Sequence, residues 1–429
     1  MKQIIFKKIY KLVKEFYKIS SFQFKPGKTY IGISAPIYNH YEANHLITAL
    51  LNNKISIGPN TKEFENNFSK YIGTKYGTAV NSGTSANILA IAILLETGEL
   101  KKGDEVILPA ATFSSVVSPI LQFGLKPVYV DVDSLTYNLD PDEVRKAISF
   151  KTKLLIIVHS LGHPANLSEL LRIAKHYKLK IIEDCCEAHG ANYKGRKVGS
   201  FGDLATFSFY VAHNITTGEG GIILTNNSNY TKIARSLREF GRFMNPITFG
   251  NRFSYYDKYL KNYDKKYIFE RIGYNMRMTD LAASLGIEQL RKLDRLNQKR
   301  RKIVSFFVKH LKKYKDFIQL PKELPDYFHS YYGFLIVIKK EAPFSRLQLV
   351  KYLEKNNIET RPFFAGCLPD QPGFRRVPKR VVGNLPVSCW LRDQAFFIGC
   401  HPAIDLDARK FIIKVLQDFL ERHTLKKRS

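Results

Sequence analysis

The chain has 429 residues, 45% of them hydrophobic, enough for two packed cores, since a single core rarely grows past roughly 250–300 residues. Its 67 basic residues against 38 acidic ones give a net charge of +29, which suits an anionic ligand, nucleic acid or an acidic membrane surface without choosing among them. No apolar run reaches the roughly 18 residues that span a bilayer, and five cysteines, an odd number in a long chain, point to reduced thiols over a disulfide framework.

The stretch MKQIIFKKIYKLVKEFYK places Ile5, Ile9, Leu12 and Phe16 near helical spacing with lysines between them. That pattern fits a helix packed on its own domain or one lying on a membrane surface. It lacks the uninterrupted apolar core of a signal peptide, so a cytoplasmic protein is expected. From about Gly77, short β-branched runs alternate with helical stretches, which predicts α/β units around a mostly parallel sheet. The expected strands are Gly77–Asn81, Glu105–Pro109, Pro127–Asp131, Leu154–His159, Lys180–Asp184, Ala205–Phe209 and Gly221–Thr225. After Met278 a long helical pattern carries the chain into a smaller α+β unit. There the strand Tyr332–Ile338, a helix after Ser345, an extended segment near Thr360, Phe396–Ile398 and a closing helix from Asp407 are expected. The expected division is an N-terminal helical segment (1–30), a large domain with a seven-stranded sheet (31–290), and the linking helix with the small domain (291–429).

Three segments carry chemistry. Asn81-Ser82-Gly83-Thr84-Ser85-Ala86-Asn87 follows a strand and opens a helix, so backbone N–H groups and the helix dipole converge on an anion; the same residues also make an ordinary helix start. Asp184 ends the strand KIIED at the carboxyl edge, where open α/β sheets bind ligands. Glu187 lies three residues on, one helical turn away, although a helix cap or salt bridge also explains an acid there. Finally, FSFYVAHNITTGEGG spans 207–221, and no lysine occurs between Lys197 and Lys232.

This ordered set resembles the DegT/DnrJ/EryC1/StrS sugar aminotransferase family from about Pro36 onward. Further matches are GPNTKEFE (58–65), LPAATF (108–113), YKGRKVGSFGD (193–203) and GYNMRMTDLAA (273–283). The resemblance implies an aspartate aminotransferase-like α/β fold (fold type I), pyridoxal or pyridoxamine phosphate (PLP, PMP) as cofactor, and His213 in the place of the cofactor-binding lysine. By position, Gly83, Thr84, Ser85 and Ser208 would contact the phosphate. Phe113 would stack on the pyridine ring, Asp184 would bind its nitrogen, and Glu187 would approach its oxygen or amine. Asn275 would reach the cofactor of the opposite subunit in a homodimer with shared sites.

A histidine cannot form the lysine's covalent link but can move a proton, because its unperturbed pKa of about 6.5 leaves both forms accessible. The exchange resembles the family's branch of nucleotide-sugar 3-dehydratases. These remove the C3 hydroxyl of a nucleotide-linked 4-keto-6-deoxysugar in dideoxysugar, O-antigen and lipopolysaccharide biosynthesis. His213 would be the base at the cofactor's C4′ carbon, and glutamate would recharge the cofactor. Asn214 and Cys367 depart from that branch. Some of its members carry an iron–sulfur cluster and work with a reductase; with no cysteine between Cys186 and Cys367 and no ligand-like spacing, none is expected here, nor another metal. The reductase-dependent type and an inactive scaffold with this fold remain open. Arg242 and Arg361 are candidate substrate anion partners or surface salt bridges. Nothing beside the basic residues reads as a nucleic-acid motif.

Overall fold

The computed structural model describes residues 1–19, 23–244, 260 and 263–424. Three helices come first: α1 (Lys2–Ile19), α2 (His40–Leu51) and α3 (Pro59–Ile72). Asn39 and Glu42 close a reciprocal capping box on α2, and Pro59 sits in the first turn of α3, where its missing N–H costs no bond. The strands β1 (Tyr76–Val80), β2 (Glu105–Pro109), β3 (Lys126–Val130), β4 (Thr152–Val158) and β5 (Lys180–Asp184) follow. A small hairpin, β6 (Asn192–Tyr193) and β7 (Arg196–Lys197), precedes β8 (Leu204–Ser208) and β9 (Gly221–Thr225). All seven expected strands form, within two residues of their expected ends.

The large sheet runs β1-β9-β8-β5-β4-β2-β3 and gains an eighth strand, β14 (Arg380–Val381), parallel to β3. β9 is the strand reversed relative to the rest, pairing antiparallel with both β1 and β8. Its first residue, Gly221, therefore lies at the same edge as the last residues of the parallel strands. Two apolar layers cover the sheet, one containing Phe64, Phe68, Phe207 and Phe209, the other Leu89, Ile93, Leu108 and Tyr129. On the outer edge of β1, Ala79 N–H donates to Glu65 (2.9 Å) and Ala79 C=O accepts from Arg238 (2.8 Å). Glu65 and Arg238 also pair at 2.6 Å, which blocks strand addition there.

Thr279 caps the helix Asp280–Leu311. Its first half, with Ala283, Ile287 and Leu293, belongs to the large core; its second half, with Ile303, Val304 and Phe307, belongs to a separate one. That second core lies under an antiparallel sheet in which β10 (Ile318–Gln319), β12 (Phe334–Ile338), β15 (Ala395–Ile398) and β13 (Thr360–Pro362) are neighbours in that order. The helices Arg346–Lys355 and Leu406–Thr424 cover it. Arg380 of β14 reaches back to Glu105 of β2, with Nε donating at 3.1 Å.

Candidate active site

The carboxyl edge of the large sheet encloses a cavity of about 360 Å³. It is lined by Gly83, Thr84, Phe113, Asp184, Glu187, Ser208 and His213 among the sequence candidates, joined by Ser82, His159, Cys186, Tyr210, Glu219, Tyr332 and Phe364. The helix α4 (Gly83–Glu96) points its N-terminus into this space, capped by Ser82, whose Oγ accepts from Ser85 N–H at 3.1 Å. Two close approaches of the chain to itself require glycine here. A Cβ on Gly83 would come within 2.5 Å of Ser208 Cβ, and one on Gly221 within 2.3 Å of Ser82 C=O. The Phe113 ring is 57% exposed and stands on the cavity wall.

Asp184 is buried at the end of β5 with both oxygens held. Asn87 Nδ2 donates to Oδ2 at 3.0 Å, and Cys186 N–H to Oδ1 at 3.0 Å. Thr206 donates to Asn87 Oδ1 at 2.7 Å, which fixes the amide with its NH₂ toward the carboxylate. His159 accepts from Ala165 N–H on Nδ1 (3.0 Å), so its proton sits on Nε2, facing Glu183 (3.1 Å). Burial alone would raise the Glu183 carboxyl; its bonds to His159 and to the N–H groups of Gly199 and Gly202 hold it below its ordinary value instead. The GSFGD segment thus serves a buried structural carboxylate.

Glu187 accepts from Leu161 N–H at 2.8 Å, and burial, with Asp184 nearby, pushes its carboxyl up to about 8. His213 follows β8 on a turn closed by its N–H to Tyr210 C=O (3.0 Å). Burial, and then the Arg300 charge, depress its imidazolium form to about 3, so the imidazole is neutral at physiological pH. Both protonation states are therefore not equally accessible in the folded chain, as the unperturbed value had suggested. Its ring centroid lies 5.4 Å from Tyr332 and 5.8 Å from His189. Asn214, next to it, donates to Asn297 Oδ1 (2.8 Å) and Ser330 C=O (3.1 Å), pinning the turn to the long helix.

Four candidates stand outside the cavity lining. Ser85 turns its hydroxyl to Asn81 Oδ1 (2.6 Å) within the cap. Asn275 is exposed and accepts from Arg277 Nε at 3.1 Å. Arg242 stacks over Phe240, 5.2 Å from the ring centroid. Arg361 pairs with Glu359 on β13, its charge within reach of the Tyr332 phenol. The sequence reading missed Asn87, His159, Tyr210 and Tyr332. Asn87 was within sight, one helical turn past Gly83 in the same motif; Tyr332 comes from the small domain and carries no local signal.

Residues 37–417 match the DegT/DnrJ/EryC1/StrS aminotransferase family. The chain belongs to that family. Within it, the chain is 37% identical over 406 residues to the lipopolysaccharide biosynthesis protein RfbH of Salmonella typhimurium, covering 92% of this chain and 93% of that one. It is also 37% identical over 409 residues to a dTDP-4-dehydro-2,6-dideoxy-D-glucose 3-dehydratase of Saccharopolyspora spinosa, covering 93% and 88%. Among solved structures, an E. coli GDP-4-keto-6-deoxy-D-mannose-3-dehydratase with bound hydrated PLP superposes with a TM-score of 0.83 at 31% identity, covering 90% of this chain and 99% of that one. The cavity fits a DegT/DnrJ/EryC1/StrS cofactor by its own features: a helix N-terminus beside Ser208 for a phosphate, an exposed aromatic residue, and a buried carboxylate.

Proposed function

We propose that this protein is a PLP/PMP-dependent nucleotide-sugar 3-dehydratase, removing the C3 hydroxyl of a nucleotide-linked 4-keto-6-deoxyhexose in deoxysugar biosynthesis. The observation that carries this reading is His213 itself, an imidazole where the family's lysine stands, in a cavity otherwise furnished for the cofactor. When bound, PMP supplies the amine that joins the sugar's C4 ketone and a ring that accepts electrons.

The chain's residues do the rest. Gly83, Thr84 and Ser208 hold the phosphate at the helix N-terminus, Phe113 covers the ring, and Asp184 faces the ring nitrogen. His213 takes the proton as a neutral base. The imidazolium it forms returns the proton to the departing C3 hydroxyl, which leaves as water. Anionic cofactor and substrate phosphates bring negative charge into the cavity and move the imidazole back toward its ordinary range. Glu187, protonated at neutral pH, presents an O–H donor to an oxygen of cofactor or sugar. Glutamate serves as amino donor, and Asn275, exposed in one protomer, reaches the site of a second in a homodimer.

The test is purified protein with PMP and a panel of GDP-, CDP- and dTDP-linked 4-keto-6-deoxysugars, with and without glutamate, read by mass spectrometry. Loss of the C3 hydroxyl that needs glutamate and no reductase is the expected result and identifies the nucleotide. No turnover by cofactor-loaded protein on any of them refutes it.

A further inference from the structure

The spacing of the five cysteines along the chain suggests no metal ligand set. The fold nevertheless brings two of them together with a carboxylate. Cys367 opens the short turn Leu368–Asp370, and Cys389 lies in the helix Pro386–Gln394. Their sulfurs and a carboxylate oxygen of Asp370 all lie within 4.8 Å of one another. Gly366 makes the approach possible: at φ +65° its bare α-carbon passes the helix where a Cβ would meet Arg392 Cβ at 2.6 Å. The cluster is braced from both sides. Leu368 N–H donates to Ala110 C=O at 2.9 Å, and Val387 N–H, at the helix start, to Asp131 Oδ2 at 2.8 Å. A second group, His159, Glu183 and Cys185, is buried and already committed, since Glu183 accepts from His159 and from the N–H groups of Gly199, Phe201 and Gly202.

We propose that Cys367, Asp370 and Cys389 bind a zinc ion, with water in the fourth position. Two thiolates and a carboxylate suit zinc, whose tetrahedral ligands at about 2.0–2.3 Å stand roughly 3.3–3.8 Å apart, so side-chain rotation closes the set. Arg392 completes the charge. Zinc with two thiolates and one carboxylate is net negative, and the guanidinium donates to Asp370 Oδ2 at 2.6 Å while Asp393 holds its other edge. Tyr129 is an independent sign: its hydroxyl is buried without a hydrogen-bond partner among the described residues, within electrostatic reach of Cys367. A metal-bound thiolate would accept that O–H, for which a neutral thiol is a weak acceptor. The alternative for two adjacent cysteines is a disulfide, which needs a thiolate before an oxidant arrives. Burial, with Asp370 and Cys389 beside it, pushes the Cys367 thiol up, whereas a coordinating cation deprotonates a thiol outright. Binding thus exchanges two thiol protons for the ion. It also pins the segment carrying Phe364, part of the active-site cavity wall, to the helix.

The full chain is isolated without oxygen, stripped of metal under a phosphine reductant, dialysed against zinc and measured by elemental analysis, with cobalt(II) as the spectroscopic probe. One zinc per chain, a thiolate-to-cobalt charge-transfer band and a higher thermal midpoint with zinc are expected. Cys389→Ser and Asp370→Ala, neither at a buried position, should each bind zinc at least about 100-fold more weakly, and Arg392→Gln about tenfold more weakly, with circular dichroism unchanged. A reduced, folded chain that retains no zinc overturns the assignment. So does full affinity in Cys389→Ser or Asp370→Ala, or cobalt binding without the thiolate band, because the ion would then lie elsewhere. A Cys367–Cys389 disulfide in the protein as isolated, read by peptide mass before reduction, overturns it as well.

Discussion

His213 Nδ1 has no hydrogen-bond partner among the described residues, and its neighbours are aromatic rings and a cation. Nothing tethers the imidazole to a structural task, which is the state expected of a group reserved for proton transfer. His213→Ala should lower dehydration by roughly 10²–10⁴-fold while leaving PLP affinity within severalfold. His213→Lys should instead leave the cofactor attached to protein after borohydride treatment and denaturation, read by intact mass. Unchanged turnover in either variant would remove the base role. Asn87 acts one residue away from the chemistry, through Asp184. Its removal takes one donor from a buried carboxylate, a loss of about 1.5–3 kcal/mol, so Asn87→Ala should bind PLP about tenfold more weakly in a fluorescence titration. Asn87→Asp should be worse, since it sets a like charge against Asp184.

At the scale of elements, the site exists because one antiparallel strand enters a parallel sheet. β9 brings Gly221 opposite both Val80 of β1 and Ser208 of β8, so a bare α-carbon lies where the chain turns into α4. In Gly221→Ala the new Cβ would meet Ser82 C=O at 2.3 Å and Gly83 N at 2.8 Å. Backbone must then move, and the phosphate cradle with it. Phosphate and PLP affinity should fall at least about tenfold, with far-ultraviolet circular dichroism preserved; unaltered PLP binding would show that the cradle lies elsewhere. The TTGEGG run thus has a packing reason beside any chemical one.

For the whole molecule, pH links stability to groups buried in unusual states. Besides His213, burial lowers His163, His189 and His329, and His401 is held at about 4. Below about 6.5 the unfolded chain protonates these imidazoles while the folded chain does not. The unfolded state then binds more protons, and stability falls as pH falls. Glu187 has the opposite sign. Its folded value near 8 lies above the unfolded carboxyl value, so the folded state holds the extra proton and stability falls as pH rises from about 4.5 to 8. The cofactor-free protein should therefore show its highest thermal midpoint at about pH 7, roughly where the slope of the five imidazoles falls to that of the single carboxyl. Glu187→Gln should flatten only the alkaline side, and a wild-type midpoint constant from pH 5 to 8 would contradict both assignments.

Local pattern determined the seven strands and the long helix because each buries a continuous apolar run or one helical face, a property of consecutive residues. It also determined the lysine's replacement, which is read at one position. It could not supply β14, two residues long and held by Arg380 bonding Glu105 across 275 positions of chain. It could not show that Ser85 turns into its own cap, or that Tyr332, just before β12, completes the cavity. Above all, the pKa of His213 is a property of what surrounds it. An imidazole in sequence is an acid and a base near neutrality; closed in by Tyr332, His189 and the charge of Arg300, it is a base alone until an anion arrives, and only the folded chain brings those groups together.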